Sequence, residues 1–256
     1  MTPMPDNAPA SLPLVFVNLD RDAERRERLE AELARLNLQG ERLHAVWWAD
    51  LPPAEQDALY SPQLNQGQYY KPLVNGEKGC YASHIRLWQQ LLASGAPAMV
   101  VLEDDVALKD GFAALLEAIS QRPQPWDMVK LIGRERDTFR SSSPLAQGVE
   151  LVDYQRVPSL TAGYVISRQG AQKLCQSRLP FGRPIDVDLR YWWENGLAVL
   201  GVSPAALVLD ETSFTSSIGS KANTVRLGQR WRKFKRQFAY SALNAWHNAR
   251  RGPLLK

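Results

Sequence analysis

The chain has 256 residues, of which 45% are hydrophobic and 23% charged, so its length suits one sizeable α/β domain and its composition excludes wholesale disorder. Two cysteines, Cys80 and Cys175, are too few for a disulfide framework and predict a reducing compartment, or at most one incidental disulfide. The sequence has no run of the roughly 20 apolar residues that a bilayer-spanning helix needs. The first 13 residues lack the basic and apolar regions of a secretory signal, so we expect none.

The net charge of +4 hides an uneven distribution along the chain. Residues 221–256 carry ten Lys and Arg and no Asp or Glu, which leaves 21 of the 31 basic residues and all 27 acidic ones in residues 1–220. The net charge is therefore +10 for the tail and −6 for the body. An acidic body argues against nucleic-acid binding, and the basic tail favours an anionic partner such as a membrane surface.

Hydrophobic runs and helical periodicity alternate along the chain, which predicts a parallel α/β sheet. The continuous apolar run Leu14–Leu19 is typical of a strand buried on both faces, and Leu29, Leu33 and Leu36 recur after it at helical spacing. Further predicted strands cover 42–48, 98–102, 127–132, 160–166 and 197–202, and further predicted helices cover 80–92, 109–120 and 168–177. Abundant Pro, Gly and Asn predict a long irregular excursion over 50–77, and serines predict a loop within 134–148.

Three parts follow from these patterns: a flexible lead-in over 1–13, one α/β domain over 14–220 and the basic tail over 221–256. In that tail, Leu227 and three aromatic residues recur at helical spacing among basic residues. A basic amphipathic helix with aromatics suits the headgroup region of an anionic membrane. A helix docked on the body with solvated charges would show the same pattern.

Three adjacent carboxylates, Glu103, Asp104 and Asp105, follow the predicted strand 98–102. Carboxylates so close repel one another, and a bound Mg²⁺ or Mn²⁺ relieves that repulsion. The carboxyl ends of parallel strands are also where α/β sheets bind ligands. Because side chains alternate between the two faces of a strand, we expect Glu103 and Asp105 to point to one side of the strand and Asp104 to the other. The alternative is that the acids cap the next helix, near Lys109.

A second acidic pair, Asp186 and Asp188, precedes Tyr191, Trp192 and Trp193. Such a pair often caps a helix. Beside a metal site, either carboxylate could instead act as a general base that takes a hydroxyl proton. The tryptophans could stack on a sugar ring, although buried tryptophans more often belong to the core.

Residues 75–84 form a Gly-rich segment that enters a predicted helix, where backbone amides can receive a phosphate. His84 lies in the first turns of that helix, where a hydrogen-bonded structural role is more common than catalysis. Cys80 is expected in the core.

Together these motifs resemble glycosyltransferase family 25, the lipopolysaccharide and lipooligosaccharide glycosyltransferases related to the procollagen galactosyltransferases. Five blocks in the family's order cover about residues 14–220, namely 15–26, 76–84, 102–105, 164–171 and 184–186. Two departures are Lys78, where an apolar residue is commoner, and Ser217, where the family often has an acid.

The resemblance implies a GT-A fold, with a Rossmann-like, mixed and mostly parallel sheet flanked by helices, that binds a UDP-sugar. It implies that Glu103 and Asp105 act as a DxD-type motif that holds Mn²⁺ or Mg²⁺. Contacts to the nucleotide sugar are expected from Asn18, Arg26, Glu103, Asp104, Gly79 and His84.

The resemblance also implies an inverting mechanism with a carboxylate base, for which Asp186 is the first candidate and Asp188 the second. The expected reaction transfers galactose from UDP-galactose to a lipid-linked saccharide at the cytoplasmic face of a bacterial plasma membrane. The alternative is a non-catalytic protein of the same fold that binds a nucleotide sugar or glycan and joins a membrane assembly.

Overall fold

The computed structural model describes residues 12–122, 126–210 and 227–255. The described part contains ten strands and eight helices. The strands are β1 Leu14–Asn18, β2 Glu41–His44, β3 Ala98–Glu103, β4 Val106–Leu108, β5 Met128–Lys130, β6 Phe139–Ala146, β7 Val149–Tyr154, β8 Gly163–Ser167, β9 Val199–Ser203 and β10 Leu207–Leu209. The helices are α1 Ala23–Arg35, α2 Pro53–Leu59, α3 Pro62–Gln68, α4 Asn75–Ser94, α5 Phe112–Ser120, α6 Arg168–Ser177, α7 Ile185–Asp188 and α8 Leu227–Arg250.

Eight of the strands form one mixed sheet in the order β2-β1-β3-β8-β5-β9-β7-β6. Six of them point the same way, whereas β8 and β7 run antiparallel to their neighbours. A separate antiparallel pair, β4 and β10, lies beside this sheet. The predicted α/β architecture, a mixed sheet flanked by helices, is confirmed.

Strand β3 shows how the sheet separates two apolar cores. Its side chains alternate, so Val101 faces one core and Val100 and Leu102 face the other. The first core includes Trp88 of α4, and the second includes Leu29 of α1. Because both faces of the sheet are covered, its central strands read as continuous apolar runs.

The predicted irregular excursion over 50–77 is wrong, because this segment contains α2, α3 and the start of α4. Pro53 and Pro62 each occupy the first position of a helix. A backbone N–H at that position makes no hydrogen bond within the helix, so the N–H that proline lacks costs the helix nothing. The Ser61 side chain caps α3 by accepting a hydrogen bond from the backbone N–H of Leu64 at 3.2 Å.

The predicted loop within 134–148 is also wrong, since β6 occupies most of it. This strand lies at the edge of the sheet, with register shifts on either side of its central residues. Pro144 is tolerated there because an edge strand leaves one row of N–H groups unpaired.

Helix α8 docks on the body through one face. Tyr240 and Asn244 are buried, the indole of Trp192 donates to the side-chain oxygen of Asn244 at 3.3 Å, and Trp193 stacks on His247 with ring centroids 5.0 Å apart. Both tryptophans therefore pack against α8, as the core interpretation predicts. The predicted lead-in up to residue 11 and the predicted boundary at 220 lie outside the described residues.

The opposite face of α8 is exposed and aromatic. Trp231 is 60% exposed, Phe234 60% and Phe238 69%, at a spacing that places them on one side of the helix. Within the described residues, no helix is long and apolar enough to cross a membrane.

Candidate active site

A cavity of about 120 Å³ lies at the carboxyl ends of β1 and β3, where the two parallel strands meet the start of α4. We call it the acidic cavity. Its polar lining comes from Asn18, Asp22, Arg25, Asn75, Ser83, His84, Glu103, Asp104 and Asp105. Asn18 ends β1 and Glu103 ends β3, so the sheet topology places side chains that are distant in sequence around one opening.

All three adjacent carboxylates line the acidic cavity. The alternation expected for them does not hold, because β3 ends at Glu103 and the next two residues form a turn. Asp104 accepts a hydrogen bond from the Asn18 side-chain amide at 2.7 Å and lies 3.5 Å from the Arg25 guanidinium. By contrast, the buried Oδ1 of Asp105 has no hydrogen-bond partner among the described residues, and the same is true of the Oε1 of Glu103.

The three carboxylates differ in pKa. Burial, together with the charges of Glu103 and Asp104, raises the pKa of Asp105 to about 7. Burial raises the pKa of Asp104, although Asn18 and Arg25 act against this. Burial opposes ionisation of Glu103 too, but the nearby His84 ring leaves the pKa of this carboxyl lowered. Asp105 is therefore the carboxylate that most lacks a positive partner.

His84 is fully buried between Tyr164 and Glu103. Its Nδ1 lies 2.7 Å from the Tyr164 hydroxyl, which also accepts a hydrogen bond from the Trp88 indole at 3.0 Å. Because the Tyr164 oxygen already accepts a hydrogen bond from Trp88, the Tyr164 hydroxyl donates its own proton to Nδ1 of His84. Nδ1 is then the acceptor, so the imidazole carries its proton on Nε2. The Nε2 atom lies 3.5 Å from Glu103 Oε1, so His84 orients the Glu103 carboxylate.

The donor atoms at this cavity fit a divalent cation. Possible ligand atoms of Cys80, His84 and Glu103 lie within 4.8 Å of one another, a group that does not include Asp105. Burial and the charge of Glu103 raise the pKa of the Cys80 thiol well above its usual value, which makes it a poor ligand. The unpartnered Asp105 oxygen and the repulsion among the carboxylates are what a hard cation such as Mn²⁺ or Mg²⁺ relieves.

The two candidate bases have different environments, and neither lines the acidic cavity. Asp188 is buried and fully engaged: it accepts from the Tyr81 hydroxyl at 2.6 Å and from Arg183 at 2.8 Å, and Arg178 lies at 3.3 Å. Asp186, in the first turn of α7, is half-buried, and its pKa is raised by burial and by the charge of Glu103. Asp186 therefore has the environment of a proton acceptor, and Asp188 that of a structural ion pair.

Two expected nucleotide contacts lie away from the cavity lining. Arg26 faces Glu30 on the same helix at 3.8 Å, and the preceding residue, Arg25, lines the cavity instead. Gly79 already belongs to α4, where a Cβ atom would lie 2.4 Å from the Val46 carbonyl oxygen, so this glycine permits close packing. Gly76, also in the first turn of α4, does line the cavity.

Sequence reasoning missed Lys130, a buried lysine in β5. Its Nζ donates to the Pro158 carbonyl at 2.8 Å, and burial lowers its pKa to about 7. Its charge acts on both Asp186 and Glu103. A lysine within an apolar strand run is the signal that could have indicated it, because a buried lysine needs a nearby carboxylate or carbonyl.

Comparison with known proteins finds a matching family model and several similar proteins. A family model described as "Glycosyltransferase family 25 (LPS biosynthesis protein)" matches residues 12–189. Procollagen galactosyltransferase 1 of Danio rerio is 31% identical over 183 residues, which cover 68% of this chain and 30% of that protein. Procollagen galactosyltransferase 2 of Homo sapiens is 29% identical over 182 residues, which cover 68% of this chain and 29% of that protein.

Another relative is the "Probable inactive glycosyltransferase 25 family member 3" of Bos taurus, 30% identical over 191 residues that cover 68% of this chain and 30% of that protein. The chain thus spans about 30% of the length of these relatives. The family match, in contrast, covers more than half of this chain and includes β1, β3, α4 and α7, which hold the candidate site. This chain therefore belongs to glycosyltransferase family 25.

Proposed function

We propose that this chain is a metal-dependent glycosyltransferase that transfers a hexose to a saccharide of the lipopolysaccharide or lipooligosaccharide type. The first candidate for the hexose is galactose, with UDP-galactose as its donor. The observation that carries the proposal is the acidic cavity, in which three carboxylates converge and in which a buried oxygen of Asp105 has no partner in the described part of the chain. The galactosyltransferase names of two relatives support the choice of sugar, and the description of the family model supports the acceptor.

The proposal gives the cavity residues distinct roles. Asn18, Arg25 and Asp104 contact the nucleotide sugar, and His84 orients Glu103. Glu103 and Asp105 would hold Mn²⁺ or Mg²⁺, which as a Lewis acid would neutralise charge on the departing diphosphate. Asp186 would accept the proton of the attacking acceptor hydroxyl, so that the sugar is transferred with inversion.

Calorimetric titration tests the donor and metal parts of this proposal. We expect UDP-galactose to bind at least about tenfold more tightly with Mn²⁺ than with EDTA, because the cation joins the carboxylates to the diphosphate. UDP-glucose, UDP-N-acetylglucosamine and UDP-N-acetylgalactosamine serve as matched competitors. Equal binding with Mn²⁺ and with EDTA would refute the metal requirement, and stronger binding of another UDP-sugar would refute the choice of galactose.

A non-catalytic role is the second candidate, favoured by the relative whose name calls it probably inactive. A binding protein would retain metal-dependent affinity for the UDP-sugar but would release no UDP in the presence of any saccharide. Measuring UDP release with lipooligosaccharide acceptors therefore separates the two candidates.

We further propose that α8 holds the protein at an anionic membrane, the cytoplasmic face of a bacterial plasma membrane. Trp231, Phe234 and Phe238 present an exposed aromatic row, and residues 227–255 contain no acidic side chain. Aromatic residues beside basic ones suit the headgroup region of anionic lipids. Since the other face of α8 is docked on the body, the aromatic row is directed away from it.

Vesicle sedimentation tests the membrane proposal. Replacing Trp231, Phe234 and Phe238 with Ser is expected to lower binding to phosphatidylglycerol vesicles at least about tenfold, because these side chains supply the buried apolar area. The matched control replaces Val208 and Leu209 of β10, which are also exposed, with Ser. Equal loss in the control, or no loss in the α8 variant, would refute the proposal.

A further inference from the structure

A second cavity, of about 220 Å³, lies between α8 and the segments that follow α3 and α7. Four tyrosines line it: Tyr69, Tyr70, Tyr191 and Tyr240. Three cations also line it: Arg190, Lys233 and Arg236. We call it the tyrosine groove. Its lining, as far as the described residues form it, contains no carboxylate, in contrast to the acidic cavity.

Two of the three cations of the tyrosine groove, Arg190 and Lys233, lie over aromatic rings. The Arg190 guanidinium lies 4.2 Å from the centre of the Tyr240 ring, and Lys233 Nζ lies 5.4 Å from the centre of the Tyr70 ring. Among the described residues, no carboxylate comes within ion-pair distance of Arg190, Lys233 or Arg236, and the Nε atom of Arg190 is buried without a hydrogen-bond partner. The groove therefore presents positive charge that no carboxylate of the described residues balances, and an anionic ligand would balance it.

Tyrosine rings and arginines side by side suit a ligand with two parts. Since cations lie on one face of the Tyr70 and Tyr240 rings, the phenols offer a sugar their remaining apolar carbon atoms, and they offer hydroxyl groups to its oxygens. Guanidinium groups match the geometry of phosphate oxygens and form paired hydrogen bonds with them. The chemistry that fits both parts is a saccharide that carries a phosphate.

The tyrosine groove adjoins the proposed base. Val187, which lines it, directly follows Asp186 in α7. Because the Cα atoms of consecutive residues are about 3.8 Å apart, the lining of the groove begins beside the residue proposed as the base.

We infer that the tyrosine groove is the acceptor subsite and that it binds an anionic, phosphate-bearing saccharide through Arg190 and Arg236. The inference rests on the proposed function, since it supplies the acceptor of that reaction. Helix α8 then has two roles, because one face completes the acceptor subsite and the other presents the aromatic row.

The test compares lactose 1-phosphate with lactose, each titrated into the full chain with the acidic cavity saturated by UDP and Mn²⁺. We expect the phosphorylated sugar to bind at least about tenfold more tightly, because two arginines contact the phosphate. The double variant R190Q/R236Q is expected to reduce this preference to less than about twofold. The control R230Q/R250Q also removes two positive charges, but from positions of α8 that do not line the groove. It should bind lactose 1-phosphate more tightly than lactose, as the wild type does.

Each outcome decides between the proposals. No preference in the wild type, or equal loss in the control variant, overturns the acceptor subsite. If R190Q/R236Q loses phosphatidylglycerol vesicle binding while the wild type shows no preference for lactose 1-phosphate, the groove binds lipid headgroups and the inference is wrong. UDP-galactose binding reports on the acidic cavity alone, so its failure would refute the proposed function and not the groove. If the double variant does not fold, R236Q, at an exposed position of α8, provides the same test.

Discussion

Replacing Asp105 with Asn is expected to lower hexose transfer at least about 100-fold without lowering the melting temperature. The loss follows from the position of Asp105, whose unpartnered carboxylate oxygen is the donor in the acidic cavity that most lacks a positive partner. Removing one preorganised electrostatic contact to a developing charge typically costs a factor of 100 to 1,000. The fold is retained because the amide has the same shape and removes a like charge beside Glu103 and Asp104.

The measurement is the rate of UDP release at saturating Mn²⁺, combined with a thermal melt. Asp110→Asn is the matched control, because Asp110 is 94% exposed in its side chain and pairs only at the surface, with Arg35 at 2.7 Å. The control should transfer at the wild-type rate. Transfer by D105N within about twofold of the wild type would show that Asp105 does not serve the reaction.

The second large effect separates the two acids of α7. Asp188→Ala is expected to lower the free energy of unfolding by about 2–3 kcal/mol, since it removes one of the two carboxylates that the buried guanidinium groups of Arg183 and Arg178 share, the other being that of Glu194. Asp186→Asn is expected to change the free energy of unfolding by less than about 1 kcal/mol, because Asp186 forms no ion pair with any other residue that the structure describes. Its transfer rate, however, should fall by about 100-fold to 10,000-fold, as expected when a general base is lost.

Urea denaturation followed by UDP-release kinetics on both variants provides the comparison. A folded D188A variant of wild-type stability would contradict the structural role of Asp188. Unchanged transfer by D186N would remove Asp186 as the base, and a base would then have to be sought among the other acids near the acidic cavity.

Much of the site was predictable because it depends on local patterns. The apolar runs of β1 and β3 are continuous, and both end in polar residues, so the sequence alone places Asn18 and Glu103 at the same edge of a sheet. What local patterns do not determine is the exact point where a strand ends or the phase of the next helix. For this reason the sequence did not predict that Asp104 lines the same cavity as Glu103 and Asp105. It also did not predict that Arg25, and not Arg26, lines that cavity.

Features that depend on distant partners were not predictable. Strand β7 was missed because its acidic residues look solvent-exposed, yet Asp153 is buried and pairs with Arg251 at 2.7 Å, almost a hundred residues later. The difference between Asp186 and Asp188 likewise depends on Tyr81, Arg178 and Arg183, and only the fold brings all of them together.

The position of β9 in the sheet has a consequence for biosynthesis. This strand is ninth of ten along the chain, but it lies between β5 and β7, which are made much earlier. Until the ribosome has released residue 203, β5 and β7 each present an open row of backbone N–H and C=O groups. A nascent chain at that stage can pair with another strand edge, and non-local pairing of this kind folds slowly. Completion of the sheet is thus a late event, and the interval before it is when this protein is most exposed to aggregation.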